Sequence, residues 1–214
     1  MKPALLTLSF FLFALITNLP LAFSSQVVEQ VLDTNGKPIF PGGKYYILPA
    51  IFGAAGGGVR LGKTGNSKCP VTVLQDYSEV INGLPVKFSI PGISPGIIFT
   101  GTPLDIAFEK KPNCAESSKW LVVIDDFPRE WVGIGGFEDH PGKQILHGTF
   151  HIQKYGFGYK LVFCPKNTAP PGLCFDIGRY NDEKGRRLIL ITDDNDPFQV
   201  VFVDADDTGL SSVV

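Results

Sequence analysis

Beyond residue 24, glycine and proline interrupt the chain so often that the longest stretch free of both runs only from Asn113 to Phe127. Its centre, Trp120 to Ile124, is a run of aromatic and β-branched residues without a 3.6-residue period, which favours a pleated strand over a helix. Glycine gives up ordered backbone easily, and proline fixes φ and removes an N–H donor, so a chain punctuated this densely does not sustain long helices. It does carry a 44% hydrophobic share with 17 Phe, beside 24 Gly and 17 Pro in 214 residues. That balance excludes both a helical bundle and a disordered chain.

Short apolar runs bounded by turn residues predict strands at Lys44 to Leu48, Val71 to Leu74, Pro85 to Ile90, Ile97 to Thr100 and Leu104 to Phe108. Trp120 to Ile124, Thr149 to Gln153, Tyr159 to Phe163, Arg187 to Ile191 and Phe198 to Val203 read the same way. No segment predicts a helix. Asn35-Gly36 and Asn82-Gly83 read as hairpin-type turns, because both residues tolerate positive φ. Asp33 stands where its carboxylate can accept backbone N–H groups across the first of them. No linker composition divides the chain, so the expectation is one all-β domain, a barrel or a sandwich.

The N-terminus is set apart. Lys2 precedes an apolar run from Ala4 to Thr17, followed by Pro20 and small residues at Ala22 and Ser24. This is the pattern of a secretory signal peptide spanning residues 1–24, with the folded domain in 25–214. The apolar run is shorter than the roughly 20 residues a membrane span needs, so no membrane association is expected after cleavage. A secreted product, extracellular or in the cell wall, is the expected location, with a vacuole as the alternative. Export places Cys69, Cys114, Cys164 and Cys174 in an oxidising compartment, where three pairings are open to them. No CxxC pair is present, so a zinc ribbon or thioredoxin-like site is not supported. Nineteen basic against 21 acidic residues give a net charge of -2, which leaves no basic field for nucleic acid.

Several chemical motifs are present in letters only. Gly57 to Thr64 satisfies GxxxxGK[ST], but Gly65, Asn66 and Pro70 follow where a P-loop needs a helix N-terminus to hold phosphate. A surface loop without nucleotide affinity is expected there. Asp204, Asp206, Thr208 and Gly209 resemble the front of a calcium loop, yet the chain ends at Val214, before the position of the bidentate Glu. His147 and His151, with His140, lack an HExxH context for zinc. No GxSxG surrounds a serine. Asp125, Asp126, Glu130, Glu138 and Asp139 could supply a glycosidase pair, but 21 acidic residues always offer such pairs. No catalytic residue, cofactor or metal is expected.

The informative blocks start near the N-terminus of the secreted chain. Val31-Leu32-Asp33-Thr34-Asn35-Gly36-Lys37-Pro38-Ile39 leads through Gly42-Gly43 to Tyr45-Tyr46-Ile47-Leu48. Asn66-Ser67-Lys68-Cys69-Pro70-Val71-Thr72-Val73, Tyr159-Lys160-Leu161-Val162-Phe163-Cys164-Pro165, Asp176-Ile177-Gly178 and Gly185-Arg186-Arg187-Leu188 follow in order. Together these resemble the plant Kunitz inhibitors, the soybean trypsin inhibitor family, along the whole secreted chain. The resemblance implies a β-trefoil of twelve strands in three pseudo-equivalent units, with Cys69 paired to Cys114 and Cys164 to Cys174. No internal repeat is visible in the letters.

The resemblance also implies a protease inhibitor whose exposed loop enters the enzyme's active site as a substrate would. The family's reactive position, counted from the first cysteine, falls at Ile93 and Ser94 within Ser89 to Ile98, with Ile97 and Ile98 as the competing pair. Trypsin requires a cationic P1 side chain for its buried S1 aspartate, and no Lys or Arg lies between Lys87 and Lys110. An aliphatic P1 points instead to elastase-like, chymotrypsin-like or subtilisin-like enzymes. A second-choice loop is Asn167, Thr168, Ala169 and Pro170, inside the span that Cys164 and Cys174 close. The alternatives are a non-inhibitory binding, storage, defence or symbiosis protein of the same family and, less well supported, a glycosidase. The expected partner is a protease bound by a monomer.

Overall fold

The computed structural model describes residues 28–51, 55–92, 96–166, 172–192 and 196–207. Six strands close into a barrel through antiparallel pairing. They are β1 (Lys44–Pro49), β4 (Val86–Ser89), β5 (Asp105–Phe108), β9 (Gly148–Tyr155), β10 (Gly158–Pro165) and β13 (Val200–Asp204). β1 pairs with β4, β4 with β5, β9 with β10, β10 with β13 and β13 with β1. The Leu104–Phe150 bridge closes the ring between β5 and β9. In β1 the alternation expected of a half-buried strand is complete, with Tyr45 and Ile47 inward and Lys44, Tyr46 and Leu48 outward.

Three hairpins cap one end of this barrel. They are formed by β2 (Val59–Gly62) with β3 (Thr72–Gln75), β6 (Trp120–Ile124) with β7 (Trp131–Ile134), and β11 (Phe175–Asp182) with β12 (Gly185–Ile191). Their second strands pair mutually: Thr72 opposite Gly133, Ile189 opposite Trp131, and Arg187 opposite Leu74. Each chain unit therefore supplies a barrel strand, a hairpin and a second barrel strand. This is the β-trefoil, with its pseudo-threefold axis through the β3–β7–β12 triangle. The thirteenth strand, β8 (Gln144–Leu146), is an addition to β6, separated from β9 by His147 alone.

The barrel encloses one continuous core that includes Ile47, Val73, Phe88, Ile106, Val122, Leu161, Leu188 and Phe202. Phe88 and Phe202 meet edge to face at 5.4 Å, an arrangement worth about 0.5–1.5 kcal/mol beyond the area it buries. A satellite cluster of Val123, Trp131, Ile189 and Ile191 packs on β6, β7 and β12, apart from the main core. A short 3-10 turn, Phe137–Asp139, lies between β7 and β8.

Two sequence expectations change here. Gly57 to Thr64 is not a surface loop: Val59–Gly62 is β2, Val59 is fully buried, and Gly58 N–H donates to Ile81 at 2.8 Å. A Cβ on Gly58 would stand 2.0 Å from the Asn82 carbonyl, so this glycine serves close backbone packing, not phosphate binding. Ile97 to Thr100 is not a strand, because the N-terminal segment offers it a single bridged pair, Gln30 with Phe99. The Asp33 reading holds in detail: its Oδ1 accepts the N–H groups of Asn35 and Lys37, both at 2.8 Å, and Gly36 adopts φ 76°.

Candidate functional site

The segment between β4 and β5 leaves the barrel at Ser89, which pairs with Asp105. Just before it, fully buried Phe88 accepts the Gly42 N–H at 2.9 Å, and Ile90 packs against the core. Pro91 and Gly92 are exposed, Gly96 is exposed again, and Ile97 is half-buried. Ile93, Ser94 and Pro95 lie outside the described residues, so the proposed P1 and P1′ positions are bracketed by known backbone on both sides. Gly92 at φ 80° and Gly96 at φ 120° make the bends that leave and rejoin that backbone.

The returning arm is clamped harder than the leaving one. Ile98 is fully buried; its N–H donates to the Ile39 carbonyl at 3.0 Å and its own carbonyl accepts the Val31 N–H at 2.9 Å. One step on, Thr100 N–H donates to the Glu29 carbonyl at 2.8 Å, and Thr100 Oγ1 accepts the Glu29 N–H at 3.0 Å. Leu104, also fully buried, then exchanges backbone bonds with Phe150. In the competing pair, Ile98 is fully buried and anchors the returning arm, while Ile97 before it is half-buried. The clamp residues Glu29, Val31, Ile39 and Gly42 escaped sequence reasoning, because they bond across 46 to 71 positions and leave no local pattern.

Beside the loop, a cleft of ≈ 800 Å³ runs from Pro91 past Lys119, Leu146 and His147 to Lys166. Asp105 on its wall is paired with Lys119 at 2.8 Å. Lys166 N–H donates to the His147 carbonyl at 2.8 Å, holding the entry to the second-choice loop. Asn167, Thr168, Ala169 and Pro170 themselves lie outside the described residues. Both disulfides join the pairs that the family implies, Cys69 to Cys114 with Cα atoms 5.8 Å apart and Cys164 to Cys174 at 4.1 Å.

The other sequence candidates are dispersed or structurally occupied. His140 is buried with Nε2 at 2.8 Å from the Ile134 carbonyl, and burial pushes its pKa below the ordinary imidazole value. His151 bonds Gly101 and Thr149. Burial opposes ionisation of Asp125, but bonds from Lys143, the Phe127 N–H and Trp131 Nε1 outweigh it and hold the carboxyl below its usual value. A general acid requires the opposite shift. Asp139 accepts the N–H groups of Gly136 and Glu116, and Asp204 caps the turn at Asp206.

The comparisons agree with this architecture. The family model for legume Kunitz proteins, described as trypsin and protease inhibitor, matches residues 31–204. A Kunitz-type trypsin inhibitor-like 2 protein of Pisum sativum is 64% identical over 211 residues, covering 96% of this chain and 95% of that one. Subtilisin inhibitor CLSI-II of Canavalia lineata is 58% identical over 183 residues, covering 83% and 93%. The crystal structure of a Kunitz type trypsin inhibitor from Cicer arietinum superposes with a TM-score of 0.78 at 70% identity, covering 83% of this chain and 99% of that one. With the trefoil, both disulfides and the full-length match in agreement, the chain belongs to the plant Kunitz family of serine protease inhibitors.

Proposed function

We propose that this protein is a secreted, monomeric inhibitor of serine endopeptidases that presents residues 91–97 as a substrate-like loop, with Ile93 as P1 and Ser94 as P1′. The observation that carries the proposal is the pairing of an uncharged loop tip with two anchored arms, Phe88 to Gly42 on one side and Ile98 to Ile39 on the other. An inhibitor of this type works by losing little entropy on docking, so arms fixed in advance favour tight binding at an interface of about 1,600 Å².

The loop's composition selects the target. With no cation between Lys87 and Lys110, docking into trypsin leaves the S1 aspartate buried without a partner, which is costly. A β-branched P1 suits the shallow apolar S1 pocket of elastase-like or subtilisin-like enzymes. The 58% identity to a subtilisin inhibitor supports this choice; the names of the pea and chickpea relatives point toward trypsin and make the specificity worth measuring directly. The signal peptide ends at Ser24 in this reading, which N-terminal sequencing of the secreted protein checks.

The test is titration of the secreted protein against subtilisin, elastase, chymotrypsin and trypsin. Stoichiometric inhibition of subtilisin or elastase, with trypsin held far more weakly, is the expected result. Absence of inhibition across the panel favours the non-inhibitory binding or storage role, and turnover of a glycoside overturns the inhibitor reading altogether.

A further inference from the structure

Away from the reactive loop, β11, β12 and β3 bring two arginines together. Register places Asn181 opposite Arg186, so Arg179, two residues earlier on the same face, is its diagonal neighbour. Arg186 also stands opposite Gln75. Gln75 is fully buried, and its Nε2 donates to the carbonyls of Ala55 at 2.7 Å and Gly57 at 3.0 Å. Its Oε1 accepts Nη1 of Arg179 at 3.1 Å and Nη1 of Arg186 at 3.3 Å. Two cations therefore converge on one neutral oxygen.

Among the described residues neither arginine is paired with a carboxylate, whereas Arg60 holds Asp76 and Arg187 holds Asp182. Each guanidinium lies over an aromatic ring, Arg179 over Phe198 at 4.8 Å and Arg186 over Tyr77 at 5.0 Å. Each guanidinium carries about five N–H donors in a planar fork, and the bonds to Gln75 and Ala55 engage Nη1 alone. Burial, then the charge of Arg186, lowers the pKa of Arg179, so the cation is held against its surroundings. A cleft of ≈ 260 Å³ opens beside Arg179, lined also by Ala55, Tyr155, Gln199 and Asp196.

We infer that Arg179 and Arg186 form a binding site for a small tetrahedral oxyanion, inorganic phosphate or a phosphate monoester. Two preset forks match an anion with several equivalent oxygens better than a single carboxylate. The net charge of -2 disfavours an extended polyanion, so the site selects a compact ligand.

The experiment is calorimetric titration and thermal unfolding of the secreted protein with sodium phosphate and, separately, glycerol 2-phosphate, at ionic strength matched with sodium chloride. Saturable binding with a rise in Tm is expected for at least one of the two, and the arm that saturates at lower concentration identifies free anion or ester. Arg179→Gln should weaken binding at least tenfold, and Arg186→Gln likewise. Lys63→Gln removes an exposed charge elsewhere and should change nothing. A Tm rise that is linear in concentration, or that survives both arginine variants, is a general salt effect and overturns the site. Protease inhibition is unaffected by the ligand in either case, which separates this site from the reactive loop.

Discussion

The backbone N–H of Ile98 donates to the carbonyl of Ile39 at 3.0 Å, and both side chains are completely buried. Together with the Val31 N–H on the Ile98 carbonyl, this bond makes the C-terminal arm of the loop part of the barrel core. The two described arms of the loop, at Ile90 and Ile98, are consequently held by packed hydrophobic residues as well as by hydrogen bonds.

Ile98→Ala should therefore cost about 2–4 kcal/mol of stability, the usual price of a buried large-to-small change, and weaken inhibition as the arm loosens. Ile97→Ala, at a half-buried position, should cost under about 1 kcal/mol. Urea unfolding of the two variants checks the difference; equal losses would show that Ile98 is not the anchor.

How much of this arrangement is legible in the letters depends on distance along the chain. The strands with alternating or continuously apolar runs, such as Lys44 to Leu48 and Tyr159 to Phe163, appear in the structure where periodicity places them, within one or two residues at each end. β11 was invisible, because Phe175–Asp182 is polar and half-exposed along most of its length. β2 was hidden by the glycines that its close packing requires. β7, four buried residues between Glu130 and Gly135, is too short for any period to register. The expected reactive position rests on the family resemblance alone. Its clamp was not legible at all, since nothing near Ile39 or Glu29 announces a partner 59 or 71 residues away.

The disulfides make a graded prediction. In the chain-entropy view, bridges closing 45 and 10 residues stabilise by about 4 and about 3 kcal/mol at most. Replacing Cys69 and Cys114 together by serine should lower stability more than replacing Cys164 and Cys174. Guanidinium unfolding of the two double variants decides the order, and the reverse ranking would mean that native-state effects dominate over chain entropy.

His140 gives a pH dependence of definite sign. Its folded pKa lies below the ordinary value of 6.5, mainly through burial. The unfolded chain then takes up a proton that the folded one refuses, so the stability it contributes is complete above about pH 6.5 and declines as pH falls toward the folded value. His140→Gln keeps an N–H donor for the Ile134 carbonyl and does not titrate. The stability gap between wild type and this variant should shift against wild type between pH 7 and pH 5, measured by urea unfolding; a constant gap rejects the buried neutral imidazole.

The reactive loop makes the sharpest test. Ile93 is followed by Ser94 and Pro95, and the arms on either side end in Gly92 and Gly96, so the proposed P1 residue can be exchanged while the anchors Phe88 and Ile98 are kept. S1 discrimination between an aliphatic and a cationic P1 rests on one buried charge, and pairing that charge is worth several kcal/mol relative to leaving it alone. Ile93→Arg should accordingly gain trypsin inhibition by a factor of about 100 or more, which corresponds to about 2.7 kcal/mol, while losing affinity for subtilisin or elastase. Ile93→Gly should weaken inhibition of every enzyme that the wild type binds. Both variants must keep the wild-type unfolding free energy within about 0.5 kcal/mol, the usual range for substitutions outside the core. If the arginine variant is folded and leaves trypsin untouched, and the glycine variant inhibits as the wild type does, the P1 assignment is wrong and the contact with the protease lies on another surface.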